Sequence, residues 1–423
     1  MQTVAKDNKL NRISTQSKID LHKLLSDYSK IGRNKNNGID RVALTKGDKE
    51  GRDYFIKLLK DNNFEVKVDE IGNIFGLITF NSENKFILSG SHIDSQPNGG
   101  NYDGIFGVLN AFTAIKELAT VFKKEGLKSK YNLAVVSWTN EEGARFQPSV
   151  LGSSVYTGRV NINEAYEILD SNKISVKESL QEINYLGSDK FDIPLQYIET
   201  HVECGKILEE NSNQIGLIDN YWGCHKHNIH LTGEQSHTGP TPMSQRKDAL
   251  YAASLIITEI RKMADSSKKT LHTSVGKIDV YPNSPNVVPG FVSLFSEIRS
   301  PFEDVLEENL NYFENFIKKV SFDTGIDIKI NTHSKRDAGK FSEEINSKLE
   351  NVLKNNNIKF EHLDTIAAHD AVPLSKITPS TVFVTPSVGG IIHDPKEYTK
   401  PEDLETCLDI LYQYLYNECI DND

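Results

Sequence analysis

Three short stretches of this chain carry residues able to activate water. Ser91-His92-Ile93-Asp94 leads into Gly99-Gly100-Asn101-Tyr102-Asp103-Gly104, and Asn140-Glu141-Glu142-Gly143 follows. Imidazoles and carboxylates are the donors that divalent metals take, and a further carboxylate beside such an ion can serve as a general base. His92 and Asp103 are too far apart for one helix face, so Pro97, Gly99 and Gly100 must fold the chain back before both can aim at one ion. Asp94 follows His92 on the same side of an extended chain, where it can hold the ligand ring or support the base. Adjacent Glu141 and Glu142 point in different directions, which suits one to the metal and the other to the attacking water. His201, in Glu199-Thr200-His201-Val202-Glu203, is a third candidate ligand, and His393, in Gly389-Gly390-Ile391-Ile392-His393-Asp394, a fourth. Each stretch alone has an ordinary explanation: a glycine-rich turn, a solvated helix start, a satisfied histidine.

A second group lies between the third and fourth candidates. His237, in the glycine-flanked turn Gly233 to Gly239, can reach a developing oxyanion. Asn286 adds an amide, and Arg299, closing the run Val292 to Arg299, is suited to a substrate carboxylate, with an ion pair to Glu297 as its plain alternative. His225, His227 and His230 decorate a predicted strand without an acidic partner and are not counted.

The elements that must position these residues alternate. Phe86-Ile87-Leu88 and Leu133-Ala134-Val135-Val136 read as buried strands, which puts His92 and the Glu pair just past strand C-terminal ends, where open α/β sheets carry their sites. A helix is expected from about 104 to 119, an extended stretch over Gln196 to Val202, and an opening helix over Ser17 to Ile31 with Ile19, Leu21, Leu24, Leu25 and Tyr28 inward. After Gly216 the runs Asn228 to Thr232 and Val292 to Ile298 surround two predicted helices, near 247 to 263 and 303 to 319. The pattern returns to strand at Thr381 to Val384 and closes with a helix after Pro401. The expected fold is α/β: a discontinuous catalytic domain with a mostly parallel sheet over 1–216 and 333–423, and an inserted α+β domain over 217–332.

At 423 residues the chain exceeds one compact core. Its net charge of −11 argues against a nucleic-acid footprint. Cys204, Cys224, Cys407 and Cys419 form no CxxC pair or disulfide framework, which fits a reducing compartment. Met1 to Ser17 lacks the apolar stretch of a secretory signal and no run of eighteen apolar residues occurs, so a cytoplasmic protein without membrane attachment is expected.

Taken together and in order, these segments resemble the M20 metallopeptidase superfamily, specifically its amidase branch of N-carbamoyl-amino-acid hydrolases, β-ureidopropionases and allantoate amidohydrolases. Ser95-Gln96-Pro97 and Trp138 to Phe146 lean toward the carbamoylase side. The resemblance implies that His92, Asp103 and His201 hold one metal and Asp103, Glu142 and His393 a second, with Asp103 bridging. Glu141 would be the base, with Asp94 assisting; His237 would stabilise the oxyanion, and Asn286 and Arg299 would bind substrate. Two divalent ions are implied, zinc first, with manganese or cobalt as substitutes. The insertion would be a lid and dimerisation domain, giving a homodimer in which some lid residues come from the partner, acting on a small substrate with a free carboxylate. N-carbamoyl amino acids, of L-amino acids or β-alanine, are the expected substrates. N-acyl amino acids or dipeptides are the alternative, ahead of allantoate or a non-catalytic binder.

The chain departs from that pattern at Cys204, where the carbamoylase branch carries Gln, and at Ala368, Ile392 and Asp394. Every implied ligand and the base are retained, so the departures bear on which acyl group is accepted. A nucleophilic Cys204 beside His201 ranks well below the metal reading, since no basic environment for a thiolate is evident.

Overall fold

The computed structural model describes residues 11–268 and 270–421, without the side chains of 332 and 333. The first ten residues, part of the stretch read above as lacking a signal, lie outside that description. The chain divides into two compact units. The first runs up to Asp219 and resumes over Phe341–Leu363 and from Ala367 onward; the second comprises Asn220–Lys340 and Asp364–Ile366. The expected crossovers at 217 and 332 fall inside strands; the chain changes unit after Asp219, still within the strand Ile215–Tyr221, and again after Lys340, once the strand Asp327–Arg336 is complete.

The first unit is built on strands β1 (Glu65–Val68), β2 (Ile74–Ile78), β3 (Phe86–His92), β4 (Asn132–Trp138), β5 (Gln196–Val202) and β6 (Ile215–Tyr221), with a further strand at Ser380–Thr385. Their order is β1-β2-β4-β3-β5, then Ser380–Thr385, then β6. The central pairs, β4 with β3, β3 with β5 and β5 with Ser380–Thr385, run parallel. The margins are antiparallel. β4 and β5 are buried along their whole lengths; β4 reads accordingly as an apolar run, whereas β5 buries Gln196, Glu199, Thr200 and His201 as well.

Helix Ile105–Glu125 packs on β3 and β5 and is covered in turn by helix Pro401–Cys419. It is long and apolar enough to cross a membrane, but most of it lies inside the unit. Gly126, in the left-handed region at φ 66°, ends it. From Pro401–Cys419, Leu404, Leu408, Leu411 and Leu415 face inward as their spacing predicts. The opening helix, Thr15–Tyr28, corrects one expectation: Leu21, Leu25 and Tyr28 are buried, but Ile19 is 56 % exposed. Residues 21, 25 and 28 recur at the helical period, and 19 lies on the opposite face.

The second unit is a four-stranded antiparallel sheet ordered Asp327–Arg336, β7 (Gly223–Thr232), Phe291–Ser300, His272–Tyr281. Phe291–Ser300 alternates strictly, turning Val292, Leu294 and Ile298 toward helices Ala249–Ser266 and Glu303–Thr324. Asp248 caps the first of these by accepting the Leu250 and Tyr251 N–H groups, at 3.0 Å each.

Candidate metal centre

Every candidate ligand of the first unit sits beside the C-terminal ends of its parallel strands. His92 ends β3, His201 is the penultimate residue of β5, Glu141 and Glu142 follow β4, and Asp103 stands one residue, Gly104, before helix Ile105–Glu125. The chain turns sharply to bring them there. Gly104 has φ 66°, and a side chain on it would strike the His92 ring. Asn140 and Gly143, at φ 54° and 64°, bracket the Glu pair, and His393 itself is in the left-handed region at φ 60°.

Asp103 is the common point. Its Oδ1 lies 3.4 Å from His92 Nε2 and 3.2 Å from His201 Nε2; its Oδ2 lies 3.1 Å from His393 Nε2. His393 Nε2 is also 3.2 Å from Glu142 Oε2. Two overlapping trios result, His92–Asp103–His201 and Asp103–Glu142–His393, each with its donor atoms within 4.8 Å of one another. Glu141 Oε2 is 3.5 Å from His92 Nε2, beside the first trio.

The donors fit divalent ions. His92 Nδ1 is bonded to the Asp94 carbonyl at 3.0 Å and His201 Nδ1 to the Val202 carbonyl at 2.8 Å, which turns both Nε2 lone pairs inward. His201 Nε2 accordingly accepts the Gly104 N–H at 3.3 Å. The acids demand positive charge at their centre. Burial works against the charged form of His92, yet Glu141, Asp103 and Asp94 hold it well above the usual histidine range. Burial is likewise outweighed at His201, chiefly by Asp103. Hydrogen bonds donated to Asp103 and Glu142 push His393 to about 11. Glu141 is driven well above the carboxylate range, first by burial and then by neighbouring acids that His92 only partly offsets. Divalent cations would supply that charge without protonating the rings.

Asp94 stands beside both groups its spacing suggested. Its carbonyl bonds His92 Nδ1, and its Oδ1 lies 3.7 Å from the same nitrogen. The carboxylate accepts the backbone N–H groups of Glu141 and Glu142, at 3.2 and 3.3 Å. Gln96 supplements this grip by donating to Glu142 from its N–H and its side-chain amide, both at 3.0 Å.

His237, Asn286 and Arg299 all belong to the second unit. His237 lies on the short strand Ser236–His237, paired with Val287–Val288, and Thr238 N–H donates to the Asn286 carbonyl at 3.2 Å, so these two residues are neighbours. A cavity of about 480 Å³ is lined by their chain neighbours Thr238, Ser284, Pro285 and Val287, together with Arg246 and Asp248, but not by His237 or Asn286 themselves. Arg299 is at the far end of Phe291–Ser300, about 27 Å along at the usual strand rise. It donates to Glu297 and to the Ile366 carbonyl, so the ion pair foreseen as its plain alternative is formed.

One histidine departs from its reading. Glu303 and Asp337 converge on His225, within 4.8 Å, so it does have acidic partners. These come from a helix start and a loop distant in sequence. Each acid is also engaged elsewhere, Glu303 accepting the Ala338 N–H at 2.7 Å and Asp337 pairing with Lys335 at 3.3 Å, while burial pushes His225 down to about 4.

Motif reading also missed the buried acids behind the centre. Glu199 accepts from Ser91 Oγ and the Ala371 N–H, at 2.8 Å each, and Asp370 accepts from Ser153 Oγ. Burial raises both acids. Glu397, four positions after His393, accepts the Tyr102 and Asp103 N–H groups at 2.6 and 2.9 Å. Glycine-rich spacing before Asp103 was the available signal, because a side chain on Gly100 would collide with the Glu397 carboxyl.

An α/β sheet with clustered imidazoles and carboxylates at its strand ends defines the class as a metal-site hydrolase. Residues 88–417 match Peptidase family M20/M25/M40, and the chain belongs to that family. Its relatives place it in the amidase branch. It is 31 % identical over 395 residues to an N-carbamoyl-L-amino-acid amidohydrolase of Rhizobium meliloti, covering 92 % of this chain and 93 % of that protein. It is 30 % identical to the allantoate amidohydrolase of Bacillus subtilis (strain 168), over 95 % of this chain and all of the relative. The crystal structure of an amidase of the hydantoinase/carbamoylase family from Burkholderia vietnamiensis superposes with a TM-score of 0.88 at 28 % identity, covering 98 % of this chain and 99 % of that one.

Proposed function

We propose that this protein is a two-metal amidohydrolase that cleaves the C–N bond of N-carbamoyl amino acids, releasing the amino acid, CO₂ and ammonia. The observation that carries the reading is Asp103, whose two carboxylate oxygens each face a different histidine group, with Glu141 at the edge of the first. Two ions bound there, zinc first among manganese and cobalt, would supply a Lewis acid for the scissile carbonyl and lower the pKa of the attacking water.

The chain's own residues do the rest. Glu141 takes a proton from the water that attacks the ureido carbon and returns it to the departing amine nitrogen, and Asp94 holds its backbone in place for both transfers. The acyl fragment left behind is carbamic acid, which falls apart to CO₂ and ammonia. His237 donates to the oxyanion and Asn286 assists beside it. Arg299 takes the substrate carboxylate. Because Arg299 and the His237–Asn286 pair stand a strand's length apart within one unit, one substrate meets both only if two subunits contribute; we therefore read the enzyme as a homodimer, and as cytoplasmic.

A second reading has one specific observation behind it. Cys204 lies against His201 and is accessible, where the carbamoylase branch carries a longer amide. A thiol there removes a donor and widens the pocket, which favours N-acyl amino acids or dipeptide-like amides. Metal-loaded protein assayed on matched N-carbamoyl and N-acetyl forms of several L-amino acids and β-alanine separates the two. Ammonia with free amino acid is expected; amino acid without ammonia, from the acetyl substrates alone, makes it an acylase.

A further inference from the structure

We propose that Glu397 is a positioning residue for the metal centre: its carboxylate is a clamp that fixes the backbone of Asp103 and makes the Asp103 and His393 loops hold their ions as one unit. The inference rests on the two-metal reading above and concerns a residue outside both ligand trios.

The geometry is that of a built support. Glu397 is 3 % exposed. One of its oxygens, Oε1, accepts both the Tyr102 and the Asp103 N–H groups, at 2.6 and 2.9 Å, across 294 to 295 positions of sequence. Its own backbone is tied to the His393 turn, since Glu397 N–H donates to the Asp394 carbonyl at 2.9 Å. The same short segment thus supplies His393, which faces Asp103 Oδ2, and the acceptor that sets where Asp103 stands. Gly100 leaves the room this needs: a Cβ there would lie 2.2 Å from the Glu397 carboxyl carbon. From the other side, Gly99 and Ile39 exchange backbone bonds of 3.0 and 2.9 Å, so the loop carrying Asp103 is gripped at both ends of its turn.

The arrangement repeats what Asp94 does for the facing loop. There a buried carboxylate accepts the N–H groups of two consecutive residues, Glu141 and Glu142; here a second one accepts those of Tyr102 and Asp103. Groups that orient metal donors from behind change affinity by about 10–100-fold when removed. Asp103 Oδ1 and Oδ2 face different trios, so a displaced Asp103 weakens both.

The test is zinc titration of the metal-stripped full-length protein against a competing chelator, with thermal unfolding of the stripped and loaded forms alongside. Wild type is expected to take up two ions. Glu397→Ala is expected to bind both about 10–100-fold more weakly and to gain correspondingly less thermal stability on loading. Glu397→Gln keeps an oxygen able to accept both N–H groups and is expected to restore most of that loss. Gly100→Ala, which leaves the carboxylate in the chain but displaces it, is expected to weaken binding as Glu397→Ala does. If Glu397→Ala fails to fold, Gly100→Ala and Glu397→Gln decide the matter by the same contrast. Wild-type affinity for both ions in Glu397→Ala or in Gly100→Ala overturns the clamp, as does a Gln variant no better than Ala. A wild type that binds no ion overturns the two-metal reading instead.

Discussion

The two units solve the problem of an interior in opposite ways. The second buries an apolar stripe, Val292, Leu294 and Ile298 on the sheet against Ile256, Ile260, Phe313 and Ile317 on the helices. The first also has a large apolar core, but beside it places Asp94, Asp103, Glu141, Glu199, Asp370 and Glu397 out of water. Ionised carboxylates are costly to bury, and here several are met by hydrogen bonds from backbone N–H groups or by imidazoles rather than by lysine or arginine. A stripe of leucine and isoleucine stabilises a unit wherever it occurs. On the two-metal reading, the clustered acids draw stability from bound cations, so the first unit gains from ions to which the second is indifferent.

Stripping metal is the harshest way to break that contrast: activity is expected to vanish and return on adding a divalent ion, while the unfolding temperature of the first unit alone falls. Equal shifts in both units, followed by calorimetry, would contradict the division. Glu141→Gln comes next, with kcat expected to drop about 10²–10⁴-fold at unchanged metal content; near wild-type turnover would remove Glu141 as the base. Leu294→Ala probes the other unit. Fully buried in the stripe, it is expected to lose about 2–5 kcal/mol in denaturant unfolding without changing metal stoichiometry. Asp94→Ala is expected to weaken metal binding about 10–100-fold by freeing the Glu141 and Glu142 backbone, and a chelator competition measures it. Cys204→Ser is the mildest, with kcat expected within about threefold of wild type and any change confined to the ratio of carbamoyl to acetyl substrates; abolished turnover would revive the thiol as a nucleophile.

How much of this was legible depended on whether a residue acts through its type or through its surroundings. His92, Asp103, Glu141, Glu142, His201 and His393 stood out only as a set, because each stretch alone has an ordinary explanation while their order along the chain resembles one family's. The alternation over Val292 to Ile298 and the apolar run of β4 were plain, whereas the burial of β5, with its Gln, Glu, Thr and His, was not. Glu397 was not, because its partners are backbone groups with no side-chain signature, brought near by tertiary folding. His225 was misread for the same reason, its acids arriving from Glu303 and Asp337. Ile19 failed on a finer point: an apolar residue near a helical stripe reads as part of it unless the period is counted strictly.

Helix Ile105–Glu125 has one more consequence, which concerns synthesis rather than catalysis. Its cover, Pro401–Cys419, is made almost three hundred residues later, and a further bond, Lys130 N–H to the Cys419 carbonyl at 2.9 Å, waits for the same segment. While the inserted unit, continuous apart from three residues, is completed on the ribosome, the most apolar helix among the described residues stays partly uncovered, as a nascent surface of the kind chaperones hold. Helix Pro401–Cys419 is therefore the segment whose synthesis lets the first unit close over its apolar helix.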